Sequence, residues 1–208
     1  MIVDETAYRS VLCLDGDLPF GFLKQTSLPL IAADGAANVL VENGLEPSMI
    51  IGDCDSVRSE LLGKYPHFCD RSQDTTDFEK VFDYLRKSDL LPTIVTGMNG
   101  GCLDRILANL GIFSGTDALF LSDTLIGFAL TGKRTFAWPI DTKVSLFGCP
   151  SGTVTSQGLK WELNRTVLIF GGFQSCSNRV QTSPIALDIE GKILVFAYRC
   201  IVKDAGNL

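Results

Sequence analysis

The stretch Ser48–Ser56, SMIIGDCDS, runs an apolar segment straight into two aspartates one residue apart. Met49-Ile50-Ile51 reads as a strand buried on both faces, since strands of a covered parallel sheet are nearly continuous in apolar character. One acid at its end would serve as a cap. A pair, Asp53 and Asp55, with Gly52 before and Ser56 after, implies that something positive is held there, most simply a divalent metal. If the chain stays extended past Gly52, side chains repeat every second residue, so both carboxylates point the same way and share one cation or hold two.

Working outward, other apolar runs read as strands of the same kind: SVLCL (10–14), LPLIAA (28–33), PTIVTG (92–97) and ALFLS (118–122). Helical segments lie between them. AANVLVEN (36–43) stops at Gly44, a C-terminal glycine signal. In TDFEKVFDYLRK (76–87), Thr76 and Glu79 form a capping-box pattern, and Phe78, Val81, Phe82 and Leu85 recur at helical spacing. Leu103, Ile106, Leu107 and Leu110 repeat that spacing. Strand and helix in alternation predict an α/β domain over residues 1–123, with a Rossmann-like, mostly parallel sheet and helices on both faces.

From about residue 124 the rhythm changes. KRTFAW, KVSLFG, GTVTS, TVLIFGG and PIALDIEGKILVFAY are short, β-rich and punctuated by turns. They predict an antiparallel β-sandwich over 124–208, its last segment a hairpin about Glu190-Gly191. No low-complexity linker divides the halves.

Composition narrows the function. The 208 residues carry 18 basic and 24 acidic side chains, a net charge of −6, with no Lys/Arg stripe, which argues against nucleic-acid or anionic-membrane partners. No apolar run approaches a membrane span, and MIVDETAYRS lacks the basic start of a signal peptide. Seven scattered cysteines without a C-x-x-C pair read as reduced thiols of a cytoplasmic protein. His67 is the only histidine, so His67-Phe68-Cys69 is no zinc site.

The polar residues gather at strand exits. Asp34 follows LIAA, Asp53 and Asp55 follow MII, and Gly97, Gly100 and Gly101 follow TIVT on the way to Asp104. Open α/β sheets bind ligands beyond the carboxyl ends of their strands. QDTTDFEK adds Gln73, Asp74, Asp77 and Lys80, the last two neighbours on one helix surface. Each acid there also serves the helix dipole. Several carboxylates with one lysine and no histidine suit Mg²⁺ and phosphoryl-type transfer, which needs positioning and charge neutralisation more than a strong base. The chain lacks the P-loop G-x-x-x-x-G-K-[ST], and Ser56-Val57 after the acid pair departs from an aspartyl-phosphate D-x-D-x-T signature.

With those residues assembled, the chain resembles the thiamine pyrophosphokinase family. ADGAANVL (33–40), PSMIIGDCDSV (47–57), QDTTDFEKVFDYL (73–85), GGCLDRILANL (100–110), GLKWEL (158–163) and SCSNRV (175–180) follow that family's motifs in order. The resemblance implies an α/β nucleotide-binding and catalytic domain, then a thiamine-binding β-sandwich. It implies transfer of pyrophosphate from ATP to the thiamine hydroxyl, with Mg²⁺, in a cytoplasmic homodimer whose sites are shared between subunits. It assigns Asp53, Asp55 and Asp77 to magnesium, Lys80 to phosphate oxygens, and Asp34, Asp104 and Arg105 to the nucleotide side. Gln73 would hydrogen-bond the thiamine pyrimidine. Trp161 would lie against the thiamine rings, with Ser177 and Asn178 completing that wall. Cys102 stands where many members carry Arg and Arg105 where His or Gln is common; Arg105 or Arg71 would then replace the lost guanidinium. A hydroxymethyl pterin acceptor and a non-catalytic thiamine or nucleotide sensor are the competing readings.

Overall fold

The apolar runs of the first half become short buried strands in the structure, a computed structural model that describes residues 4–198. They are β1 (Ser10–Cys13), β2 (Leu30–Ala33), β3 (Met49–Gly52), β5 (Thr93–Thr96) and β6 (Leu119–Leu121); the sequence reading lacked β4 (His67–Cys69). All pair in parallel, in the order β6-β5-β1-β2-β3-β4. Val11, Leu12, Ile50, Ile51, Ile94 and Val95 are fully buried, as the unbroken apolar runs require. β4 differs: all three of its residues are exposed, so no apolar signal marks it.

Among the described residues five α-helices connect the strands: α1 (Phe20–Leu23), α2 (Ala36–Glu42), α3 (Ser59–Lys64), α4 (Asp77–Lys87) and α5 (Leu103–Phe113). α4 is the best specified. Thr76 Oγ1 accepts from the Glu79 N–H at 3.3 Å while Glu79 Oε2 accepts from the Thr76 N–H at 2.8 Å, a complete capping box. Phe78, Val81 and Leu85 on its inner face are buried. The apolar stripe of α5 behaves otherwise: Leu103 and Leu107 are exposed.

The chain divides between Asp123 and Thr124 into two compact units. The second holds β7 (Leu125–Phe136), β8 (Lys143–Gln157), β9 (Thr166–Ile169), β10 (Ser175–Arg179) and β11 (Ile185–Tyr198), all antiparallel. KVSLFG and GTVTS prove to be one long strand, β8. The hairpin expected about Glu190-Gly191 does not form. β11 runs straight through, pairing with β7 on one side and β8 on the other, and its register shifts near Gly191. Gly191 does adopt φ +86, the conformation that marks it as a turn candidate, but a bulge uses it. β10 pairs with the first part of β8 and β9 with the second, both on the edge away from β11.

Candidate active site

β1 lies between β2 and β5, where the strand order reverses, and the loops leaving it and its neighbours define a crevice. Close backbone approach at this end demands glycine. A Cβ on Gly97, which has φ +73, would sit 2.2 Å from the Leu14 carbonyl oxygen, so the exits of β1 and β5 touch directly. The crevice, about 550 Å³, is lined by Asp15, Asp34, Asp53, Asp55, Asp77 and Lys80 among others.

Three of these acids converge. Asp34, Asp53 and Asp77 each offer a carboxylate oxygen, and these atoms lie within 4.8 Å of one another. Asp34 leaves β2 with φ 42, a left-handed conformation that aspartate tolerates better than most side chains, and its N–H donates to the Ile51 carbonyl at 2.8 Å. Asp77 is the first residue of α4. Gly52 makes the meeting possible: a Cβ there would lie 2.7 Å from Asp34 Cβ and 3.1 Å from Asp77 Oδ1.

Asp34 is buried, and its Oδ1 has no hydrogen-bond partner. Burial, chiefly, with the charges of Asp53 and Asp55, pushes its carboxyl up from the usual range against hydrogen bonding from Ser56. Asp77 is likewise raised, by desolvation first and by the Asp34 charge next, with Lys80 opposing. Asp53 goes the other way. Desolvation works against it, but hydrogen bonds from Gln73 and Asp55 and the charge of Lys80 hold it below the ordinary carboxylate range. Lys80 is buried with its Nζ 3.8 Å from Asp77 Oδ1. An orphaned carboxylate oxygen inside a cluster of hard oxygen donors suits a divalent cation of the magnesium class.

Asp55 does not join this cluster. Cys54 takes φ +63, which breaks the extended geometry that would have aligned Asp53 and Asp55, and Asp55 accepts from Ser56 Oγ at 2.9 Å. Asp55 still lines the crevice, as do Gln73, Cys102 and Arg105. Gln73 Nε2 donates to Asp53 Oδ2 at 3.3 Å. Asp104 is exposed in the first turn of α5 and accepts from the Arg105 N–H at 2.9 Å; Arg71 is also exposed. Arg105 Nη1 lies 3.7 Å from Asp15 Oδ2. Asp15 escaped the sequence reading, although the strand-exit rule applied to SVLCL would have found it.

The expectation of reduced thiols is overturned at one pair. Cys54 and Cys69 form a disulfide, with Cα atoms 5.6 Å apart across 15 residues of sequence. Register explains it: Gly52 of β3 stands opposite Cys69 of β4, an adjacency that an exposed three-residue strand does not announce. Cys13, Cys102, Cys149 and Cys176 are free.

In the antiparallel unit, Trp161 is 56% exposed rather than core. Asn178, buried, fixes the backbone beneath it: Oδ1 accepts from the Trp161 N–H at 3.1 Å and Nδ2 donates to the Trp161 carbonyl at 2.7 Å. Ser177, at φ 57, donates its N–H to Ser145 Oγ at 3.0 Å. The backbone that carries this exposed ring is thus fixed, and Lys160 Nζ lies over the ring, 4.9 Å from its centroid. Glu162, which the sequence reading passed over, ties down the turn before Trp161 by accepting from the Gly158 and Leu159 N–H groups at 2.6 and 3.1 Å.

Comparison with known proteins bears on both units. Residues 22–118 match the family profile described as thiamin pyrophosphokinase, catalytic domain, and residues 139–194 match thiamin pyrophosphokinase, vitamin B1 binding domain. Thiamine pyrophosphokinase 2 of Arabidopsis thaliana is 31% identical over 203 residues, covering 79% of this chain and 75% of that protein. The chain belongs to the thiamine pyrophosphokinase family. Thiamine pyrophosphokinase 1 of the same plant is 30% identical, over 88% of this chain and 75% of its own length. Among solved structures, thiamine pyrophosphokinase from Bacillus subtilis superposes with a TM-score of 0.76 at 16% identity, covering 92% of this chain and all of that one. The yeast thiamin pyrophosphokinase gives 0.75 at 17% identity, over 95% of this chain and 90% of its own. At those identities the likeness is one of fold: parallel strands first, antiparallel strands after.

Proposed function

We propose that this chain transfers the terminal pyrophosphoryl group of ATP to the hydroxyl of thiamine, giving thiamine diphosphate and AMP. The observation that carries the reading is the convergence of Asp34, Asp53 and Asp77, with Lys80 beside them, at the carboxyl ends of a parallel sheet. A triphosphate brought to that acidic rim needs countercharge, and oxygen donors of this kind hold Mg²⁺. Bound there, Mg²⁺ would neutralise charge on the phosphate oxygens. Asp34, Asp53 and Asp77 are the residues proposed to hold it, with Asp55 on the crevice wall beside them.

Lys80 supplies a fixed positive charge for a phosphate oxygen, its buried stem leaving the ammonium little freedom to move. Arg105, paired with Asp15, stands at the same crevice for the nucleotide, with Asp104 at the start of the same helix. Gln73 offers an amide to the thiamine pyrimidine. Trp161 gives the cationic thiazolium an aromatic face, a contact worth about 0.5–2 kcal/mol. Ser177 and Asn178 hold that wall. The hydroxyl oxygen attacks the β-phosphorus, the bond to the AMP oxygen breaks, and the hydroxyl proton passes to solvent; no strong base is obligatory.

A homodimer with sites shared between subunits is part of the proposal. It is supported by Val167, Ile169, Phe170 and Phe173, exposed along and just beyond the single-paired strand β9. Residence in the cytoplasm is proposed on the need for ATP; no helix among the described residues is long and apolar enough to cross a membrane.

The deciding assay incubates the protein with ATP, thiamine and Mg²⁺, with and without EDTA, and resolves the products. AMP and thiamine diphosphate in equal amounts, abolished by EDTA, are expected. ADP in place of AMP would mean a different reaction type.

A further inference from the structure

We propose that the Cys54–Cys69 disulfide positions the cation-binding carboxylates, and that its reduction by a dithiol switches the site to a weakly binding, slow form. The inference rests on reading Asp34, Asp53 and Asp77 as a cation site. Cys54 stands between Asp53 and Asp55 and adopts φ +63, which a side chain bearing a Cβ disfavours. The hydrogen bonds to the Asp53 carboxylate itself are long, although Ser56 Oγ donates to Asp55 Oδ1 at 2.9 Å. The Asp55 N–H reaches Asp53 Oδ1 at 3.4 Å, and Gln73 Nε2 reaches Asp53 Oδ2 at 3.3 Å. The loop is anchored at its ends by buried Gly52 and by the Ser56 carbonyl, which accepts from Asn38 Nδ2 at 2.7 Å, and the Asp53 N–H donates to the Asp77 carboxylate. Between those anchors, the covalent restraint on the loop comes through Cys54, the residue next to Asp53.

Cys69 is the other end of that restraint. It ends β4, an exposed edge strand with no buried side chain, and the Asp70 N–H donates to the Gly52 carbonyl at 2.8 Å. The segment leaving β4 carries Gln73, then Thr76 and Asp77 at the start of α4. One S–S bond therefore ties the Asp53 loop to the strand that leads to two other members of the site. Cys54 is half-buried and Cys69 exposed, so a small dithiol has access. Disulfides that form among reducing thiols are usually transient ones with a catalytic or redox-sensing role. In the exchange, one thiolate of the dithiol attacks a sulfur of the pair and the S–S bond breaks. The second thiolate then attacks the dithiol's own sulfur in the resulting mixed disulfide, closing a ring and expelling the remaining cysteine as a thiolate. The dithiol leaves oxidised, and Cys54 and Cys69 have gained two electrons and two protons as thiols.

The test uses the full chain in three forms: oxidised, reduced with dithiothreitol and desalted, and the Cys54→Ser/Cys69→Ser variant. Thiol counting verifies each state. Mn²⁺ titration followed by electron paramagnetic resonance reads cation affinity without reference to turnover. We expect about tenfold weaker Mn²⁺ binding in the reduced and doubly substituted forms, the scale seen when groups that orient metal ligands are lost. In parallel, kcat should fall while the thiamine KM holds, and reoxidation should restore the wild type alone. If the variant does not fold, the reduction–reoxidation cycle of the wild type decides. Mn²⁺ affinity and kcat within twofold in verified oxidised and reduced protein would overturn the switch and leave the cation site standing. Absence of Mn²⁺ binding in both forms would overturn the switch and the cation site together.

Discussion

Asp34→Asn isolates what the acidic cluster costs the fold. Asp34 is buried, with one oxygen unpartnered, and shares a 4.8 Å neighbourhood with Asp53 and Asp77. Two unit charges at that separation repel by about 3 kcal/mol at an effective dielectric constant near 20. The Asp77 side chain is 38% exposed and Lys80 lies 3.8 Å away, so solvent and countercharge reduce the figure. About 1–2 kcal/mol remains after that discount. Asparagine keeps the shape, tolerates the left-handed backbone and removes the charge. Without metal at neutral pH the variant should therefore melt about 2–8 °C above the wild type, given roughly 2–4 °C per kcal/mol for a chain of this size.

The sign with pH follows from the raised carboxyls of Asp34 and Asp77. A carboxylate whose folded pKa is raised costs stability above that pKa and costs nothing below its unfolded value, about 4. The variant's advantage should thus shrink as pH falls through the raised range and vanish near the ordinary one. Added Mg²⁺ should stabilise the wild type and barely move the variant, since only the folded cluster binds it. Calorimetry with EDTA or Mg²⁺ at several pH values checks all three trends. A variant no more stable than the wild type in EDTA, yet equally responsive to Mg²⁺, would refute the reasoning.

Other substitutions probe other parts. Gly52→Ala pushes a methyl to 2.7 Å from Asp34 Cβ and should cut turnover and Mn²⁺ affinity together, read by product assay and titration. Trp161→Ala should raise the thiamine KM with little change in melting temperature, because the ring is already exposed; an unchanged KM removes Trp161 from the thiamine site. Thr76→Ala deletes the side-chain half of the capping box and should cost about 1 kcal/mol, measured by denaturant unfolding.

The sequence reading succeeded where local physics suffices. The unbroken apolar runs ending in acids or glycines identified β1, β2, β3, β5 and β6, since strands covered on both faces need no polar alternation. The capping box and helical spacing located α4 to within a residue. Strand exits pointed to Asp34 and Asp53, because side chains at strand ends share an edge whatever the pairing order. β4 and α3 carried no comparable signal, one being exposed throughout and the other a single short turn and a half. The supposed hairpin at Gly191 failed because a positive-φ glycine serves a bulge as well as a turn, and only the partner strands choose between them.

By itself the amino-acid sequence determined two rhythms, the helix of Asp77–Lys87 with its Thr76 cap, the inventory of acids and the family motifs. Tertiary structure alone decided that Asp34 rather than Asp55 meets Asp53 and Asp77, that Cys54 bonds Cys69, and that Trp161 faces solvent on an Asn178 support. The reason is one of range. Periodicity and capping act over a few residues, whereas a carboxylate cluster or a disulfide depends on which strands lie side by side and on the sign of φ at one residue between two acids.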